Sequence, residues 1–329
     1  MIISSHLPLL LDLKLGFWLN KHLLSKTLKV FSGVVVFLII VFVALRTPDI
    51  GSERLIKKYT NGESKFLNVD GIKTHYRMEG TGPPLLLIHG TASSLHTWDG
   101  WVKELKNDFT TIRLDIPAFG LTGPNSTGDY TIDYYIEFIN DFMEKIEIDS
   151  FHVAGNSLGG GIAWSYTLKH PDKVNKIILI DASGYPKDDI PFVFKIAQNS
   201  LGAALLKVIT PRFFVSNNIN EVYYDDSKVT NNLVNRYYEL TLRAGNRQAF
   251  VDRARHTLQY DHTKIQKIKN KTLILWGKYD EWIPVEDAHK FNQDIDNSIL
   301  KIYESGHVPM EENPKQTAQD SRLFLIDSS

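Results

Sequence analysis

The chain has 329 residues, 43% hydrophobic and 23% charged, with 37 Lys and Arg against 38 Asp and Glu. That length suits one large domain, and a formal net charge of −1 shows none of the basic excess that a nucleic-acid partner selects. No cysteine is present, which excludes disulfides, thiolate metal sites, cysteine nucleophiles and lipid attachment to Cys, and leaves the compartment open.

The first element is apolar. Val30 to Leu45 carries no charge and is flanked by Lys26, Lys29 and Arg46. The run is slightly shorter than the ~17–25 residues of a spanning helix, but snorkelling Lys29 and Arg46 extend it. It has no polar stripe, so a single-pass membrane anchor over residues 30–45 is expected, ahead of a buried core helix or a cleaved signal peptide. Residues 1–29 mix Leu, Phe17 and Trp18 with Lys14, Lys21 and Lys26, the composition of an amphipathic segment at a membrane surface. Flanking charges are balanced and decide no orientation. An N-in anchor with the catalytic domain outside the cytoplasm is the working expectation.

Residues 46–63 read as a polar connector. Phe66–Val69 and Ile72–Met78 alternate around Asp70-Gly71, a two-residue hairpin signal. Leu85–Ile88, Thr111–Leu114, Phe151–Ala154, Ile177–Ile180, Leu273–Trp276 and Ile299–Tyr303 are short apolar runs of the kind buried on both faces. Helical patterns such as Ile132–Ile146 and Leu158–Lys169 separate most of them. The alternation predicts an α/β fold, a mostly parallel central sheet with helices on both faces. Between Ile180 and Leu273 the periodicity turns helical, which predicts a helical lid over residues 185–268 that divides the core into 64–184 and 269–329.

The chemistry centres on Gly155-Asn156-Ser157-Leu158-Gly159, placed between a strand and a helix. In that context G-x-S-x-G is a nucleophile elbow, with Ser157 on a strained turn that leaves no room for neighbouring side chains. A serine needs a base. His307 follows the last strand, on the rim that carries Ser157. His89 reads as a residue fixing a loop, and His152 and His170 as scaffold or surface. For the acid that orients the base, Asp280 follows a strand on that rim, with Asp181 as its rival and Glu281 as a neighbour to watch. The order Ser157, Asp280, His307 is Ser–acid–His. Backbone N–H groups of Leu158 and Thr91 would hold the oxyanion. Trp98 and Trp101 read as core, Asp225-Asp226 as a solvated loop, and Glu311-Glu312 as the acidic start of the final helix.

Together His89-Gly90, Asp115–Gly120, Gly155–Gly159, Gly277–Pro284 and Gly306-His307 resemble the motif series of the α/β-hydrolase superfamily over roughly residues 64–328. The likeness is greatest to its membrane-anchored, lid-bearing esterases and monoacylglycerol-lipase-like members. One departure is Ala118, where that loop usually carries Gly. The resemblance implies a serine esterase that acts on a small-molecule ester or lipid with an apolar acyl group and calls for no cofactor or metal. Two alternatives remain open. One is a carbon–carbon bond hydrolase of meta-cleavage type, although residues 89–94 read His-Gly-Thr-Ala-Ser-Ser rather than a glycine-rich loop. The other is a non-enzymatic small-ligand receptor on the same scaffold.

Overall fold

A computed structural model describes residues 7–187, 189–256 and 260–327, and for residues 7–25 the backbone alone. The chain forms two compact units, Met1–Arg46 and Thr47–Ser329. In the first, a single helix α1 runs from Leu7 to Leu45. Its stretch Lys26–Leu45 has a mean hydropathy of 2.8, is exposed throughout, and is long and apolar enough to cross a membrane. Residues 1–6 and the side chains of the amphipathic segment 1–29 up to residue 25 lie outside the described residues.

The expected polar connector contains a helix, α2 (Ser52–Tyr59). Its Leu55 is buried with Leu121 and Leu240, so this segment belongs to the second unit rather than bridging to it. The sheet follows as β1 (Ser64–Val69), β2 (Ile72–Glu79), β3 (Pro84–Ile88), β4 (Thr110–Leu114), β5 (Phe151–Asn156), β6 (Val174–Ile180), β7 (Lys271–Gly277) and β8 (Ser298–Tyr303). Strand order is β1-β2-β4-β3-β5-β6-β7-β8. Strand β2 pairs antiparallel with β1 and β4, and all other pairs are parallel. Every residue of β5 is buried, as expected for a central strand covered on both faces.

Between the strands lie α3 (Asp99–Leu105), α4 (Ile132–Lys145) and α5 (Leu158–Lys169). The segment expected as a lid holds, among the described residues, α6 (Phe192–Gln198), α7 (Ser200–Leu206), α8 (Arg212–Val222), α9 (Asn231–Thr241) and α10 (Asn246–Arg255). Caps fix their starts: Asn199 accepts from Gly202 N at 3.0 Å and Thr230 from Leu233 N at 3.2 Å. Three helices complete the core, α11 (Val285–Asp294), α12 (Pro309–Glu312) and α13 (Pro314–Ile326). Apolar residues of α4 and α5 pack on one sheet face, and Trp98, Trp101 and α13 on the other.

Candidate active site

Ser157 joins β5 to α5 with φ 55° and ψ −116°, a left-handed conformation that L-residues occupy only under constraint. The constraint is visible in the backbone. Ser157 N donates to Ile180 O at 3.0 Å, and Ser157 O accepts from Gly161 N and Ser183 N, each at 3.0 Å. The flanking glycines are steric necessities. A Cβ on Gly155 would lie 2.1 Å from Gly159 O, and one on Gly159 would lie 2.1 Å from Ile88 O. Leu158 is the first residue of α5, so its N–H has no acceptor within the helix. Thr91 and Ser157 line the same cavities, and the next residue, Ala92, holds φ 58°.

His307 is 3% exposed and comes from the loop after β8. Its N–H donates to Val222 O at 2.8 Å, and its carbonyl accepts from Asn156 Nδ2 at 3.0 Å. Its Nδ1 lies 2.7 Å from Asp280 Oδ2. A carboxylate only accepts, so Nδ1 carries the proton and Nε2 keeps its lone pair. Asp280, after β7, is fixed in turn: its Oδ1 accepts from Trp282 N at 2.8 Å and from Ile283 N at 3.0 Å. Ser157 and His307 both line the two cavities that meet here.

Asp181 stands directly beneath this pair. It is fully buried, with φ 42°, and its Oδ1 accepts from Gly277 N at 2.9 Å. Its Oδ2 is buried without a partner. Burial, reinforced by the Asp280 carboxyl, holds Asp181 well above the usual carboxylate range. Of the two acids, Asp181 keeps the proton, because Asp280 has three donors around it. Asp181, Asp280 and His307 each place one ligand-type atom within 4.8 Å of the others. Both Asp280 oxygens already accept from N–H donors, while Asp181 Oδ2 has no hydrogen-bond partner among the described residues.

The remaining residues singled out in the sequence fall around this centre. His89 Nδ1–H donates to Gly90 O at 2.7 Å, and Nε2 accepts from Ile116 N at 3.1 Å, so His89 fixes two loops; burial lowers its pKa. Asp115 accepts from Leu95 N and Leu121 N, each at 2.7 Å, and lies 2.8 Å from His75 Nδ1. Burial would raise its pKa, but the His75 contact prevails and holds it below the usual range. Ala118 sits at φ 85°, which explains why glycine is usual there. His152 is buried in β5. Asp225 accepts from Ser227 N at 3.0 Å within a turn.

Glu311 and Glu312 lie in the first turn of α12, ahead of the final helix α13, and their carboxylates also reach far along the chain. Glu312 is 3% exposed. Its carboxylate accepts from Gly306 N at 2.9 Å, Tyr224 N at 3.2 Å and Asp225 N at 3.0 Å. Glu311 pairs with Arg236 and accepts from Tyr237 Oη at 2.6 Å and Thr97 Oγ1 at 2.9 Å. The two acids tie the His307 loop and the core to the lid.

A strained serine at the carboxyl edge of a parallel sheet thus shares its cavities with a buried imidazole held by a carboxylate. The chain belongs to the alpha/beta hydrolase fold family, whose model matches residues 83–314. It is 28% identical to a 2-hydroxy-6-oxo-6-(2'-aminophenyl)hexa-2,4-dienoic acid hydrolase of Metapseudomonas resinovorans, covering 79% of this chain and 90% of that one. It is 27% identical to a monoacylglycerol lipase of Bos taurus, covering 75% of each. Among solved structures it is similar to a membrane phospholipase A described as a bacterial virulence factor, with a TM-score of 0.70 and 26% identity, covering 94% of this chain and 97% of that one.

Proposed function

We propose that the protein is a membrane-anchored serine hydrolase of carboxylic esters with an apolar acyl group. The observation that carries this reading is that strained Ser157 and the His307 paired with Asp280 line one cavity of ≈ 130 Å³, whose walls include the apolar side chains Phe214, Ile219, Leu206 and Phe250 from the segment between β6 and β7. Ser157 Oγ attacks the ester carbonyl as His307 Nε2 takes its proton. The N–H groups of Leu158 and Thr91 hold the oxyanion. Collapse breaks the ester C–O bond, and the alcohol leaves with the proton from His307. Water, deprotonated by His307, then displaces Ser157 and releases the acid. Asp280 keeps the imidazole in the tautomer this needs and stabilises its cation.

Membrane anchoring rests on the apolar stretch Lys26–Leu45. It also draws on the 94% coverage by the membrane phospholipase, a share that reaches beyond residues 47–329. The carbon–carbon hydrolase is the second reading, favoured by the dienoic acid hydrolase relative. The test uses the full chain in detergent micelles with p-nitrophenyl esters of increasing chain length, beside Ser157→Ala. Turnover that disappears in the variant supports the ester hydrolase. A folded wild type inert on all of these esters, yet active on a vinylogous diketone, overturns it.

A further inference from the structure

The second cavity at Ser157 differs chemically from the first. It encloses ≈ 410 Å³ and shares Thr91, Ser157, Phe194, Trp282 and His307 with the apolar one. Its own walls bring Lys187, Arg253, His256 and Tyr260, and no Asp or Glu lines it among the described residues. Arg253, on α10, is 7% exposed, its guanidinium lies 5.8 Å from the centre of the Phe194 ring, and its Nε has no hydrogen-bond partner among the described residues. Among the described residues Lys187 Nζ donates to Trp282 O, at 3.2 Å, and forms no ion pair, although the Asp280 and Asp287 carboxyls act on it from farther off. Tyr260 Oη is a further buried donor on this wall, near Ser183 and with no hydrogen bond that meets normal geometry among the described residues. Arg247 in the apolar cavity makes the contrast, since Asp49 pairs with it at 2.7 Å.

A buried guanidinium without a counter-charge is costly. Such a group is retained where a ligand supplies the missing anion, and Arg is suited to phosphate and carboxylate oxygens. We propose that Arg253 and Lys187 form a subsite for a phosphate-type anion carried by the alcohol portion of the ester, while the acyl chain lies in the apolar cavity. The substrate class is then an acyl ester of an alcohol bearing a phosphate, such as an acylated glycerol phosphate. This inference rests on the ester-hydrolase reading and deepens it.

The test compares hexanoyl-glycerol with hexanoyl-glycerol 3-phosphate, both short enough to be monomeric, on the full chain in neutral detergent micelles. Wild type should prefer the phosphate ester in kcat/KM, and Arg253→Met should cut that ratio about ten- to hundredfold, the range of a charge-assisted hydrogen bond. Lys187→Met, at a less buried position, should lower it in the same direction, and Arg253→Lys should restore part of it. A ratio equal in wild type and both Met variants, with neutral ester still turned over, overturns the anion subsite and leaves the esterase standing. Binding needs no turnover: on Ser157→Ala, calorimetry should show hexanoyl-glycerol 3-phosphate bound about tenfold more weakly or worse when Arg253→Met is added. Equal binding with and without Arg253 overturns the proposal even if no ester is hydrolysed. Inorganic phosphate is the third arm. Arg253-dependent phosphate binding without a change in ester preference marks a free-anion site and overturns the substrate-borne one.

Discussion

Replacing Glu312 by alanine should damage both stability and catalysis, although no substrate atom would touch this side chain. Glu312 takes three backbone N–H groups into one buried carboxylate: Gly306, Tyr224 and Asp225, at 2.9, 3.2 and 3.0 Å. In Glu312→Ala these donors lose a carboxylate acceptor, Gly306 in a buried setting and Tyr224 and Asp225 in part-buried ones. Charge-assisted bonds are worth about 1.5–3 kcal/mol each, and partial rehydration of the lid loop recovers some of that, so a net loss on the order of 4 kcal/mol is expected. For a domain of this size that corresponds to a melting temperature lower by roughly 10 °C. Gly306 precedes His307, whose own N–H is held by Val222 O at 2.8 Å in the same lid turn. Releasing the loop shifts the imidazole against Ser157, and a misplacement of about 1 Å costs on the order of a hundredfold in kcat. Glu312→Gln keeps one acceptor oxygen and should lose less than half as much stability. Urea unfolding followed by tryptophan fluorescence, together with kcat on a short ester, measures both quantities. An alanine variant within about 1 kcal/mol of wild type and with unchanged kcat would refute the reasoning.

Two pH effects follow from buried groups. Burial and the Asp280 carboxyl raise the folded-state pKa of Asp181, so its contribution is complete below the ordinary carboxylate value and is lost as pH climbs toward the folded one. Asp181→Asn removes that loss. Its stability advantage over wild type should therefore grow by up to about 1.4 kcal/mol per unit from pH 4 to neutrality, and parallel stability curves would show that Asp181 does not hold the proton. His152 runs the opposite way. Burial, with help from Lys176, lowers it to about 4, so the folded state favours neutral imidazole and stability falls as pH drops from the ordinary imidazole value toward 4. His152→Leu should flatten the stability curve across that window, and an unchanged acid slope would assign the loss to other groups.

The sheet was readable because its strands are buried on both faces. Continuous runs such as Leu85–Ile88 and Leu273–Trp276 leave little alternative, and the strands β3 and β7 extend them by one to three residues. The pairing of His307 with Asp280 was foreseeable because each follows a strand at the same edge of the sheet. Asp181 shared that property, so position alone could only rank the two acids. What separates them is tertiary: three donors converge on Asp280, while Asp181 receives one N–H and keeps a bare oxygen. The long-range partners of Glu311 and Glu312 were hidden for a related reason. Acidic residues before a helical pattern satisfy the dipole rule locally, and nothing nearby in the chain announces Arg236 or the N–H groups of Tyr224 and Asp225, which lie 75 to 88 residues away.

The same limit explains why the two cavities were unequally visible. An apolar wall built from lid helices leaves a periodic trace, and Phe192–Ile196, Leu233–Leu242 and Phe250–Leu258 show it in the sequence. A cationic wall leaves none, because Lys and Arg are ordinarily surface residues and the sequence does not reveal burial or pairing. Arg253 and Arg255 occupy one helical turn, yet the first is buried and the second exposed. Arg247 and Arg253 are both buried on α10, but Asp49 reaches only the first. A buried cation with no ion pair among the described residues, on a cavity that Ser157 also lines, therefore emerges only from the tertiary structure. On the proposed anion subsite the preferred ester would carry its own negative charge, because a neutral alcohol portion would leave that cation buried without a counter-ion.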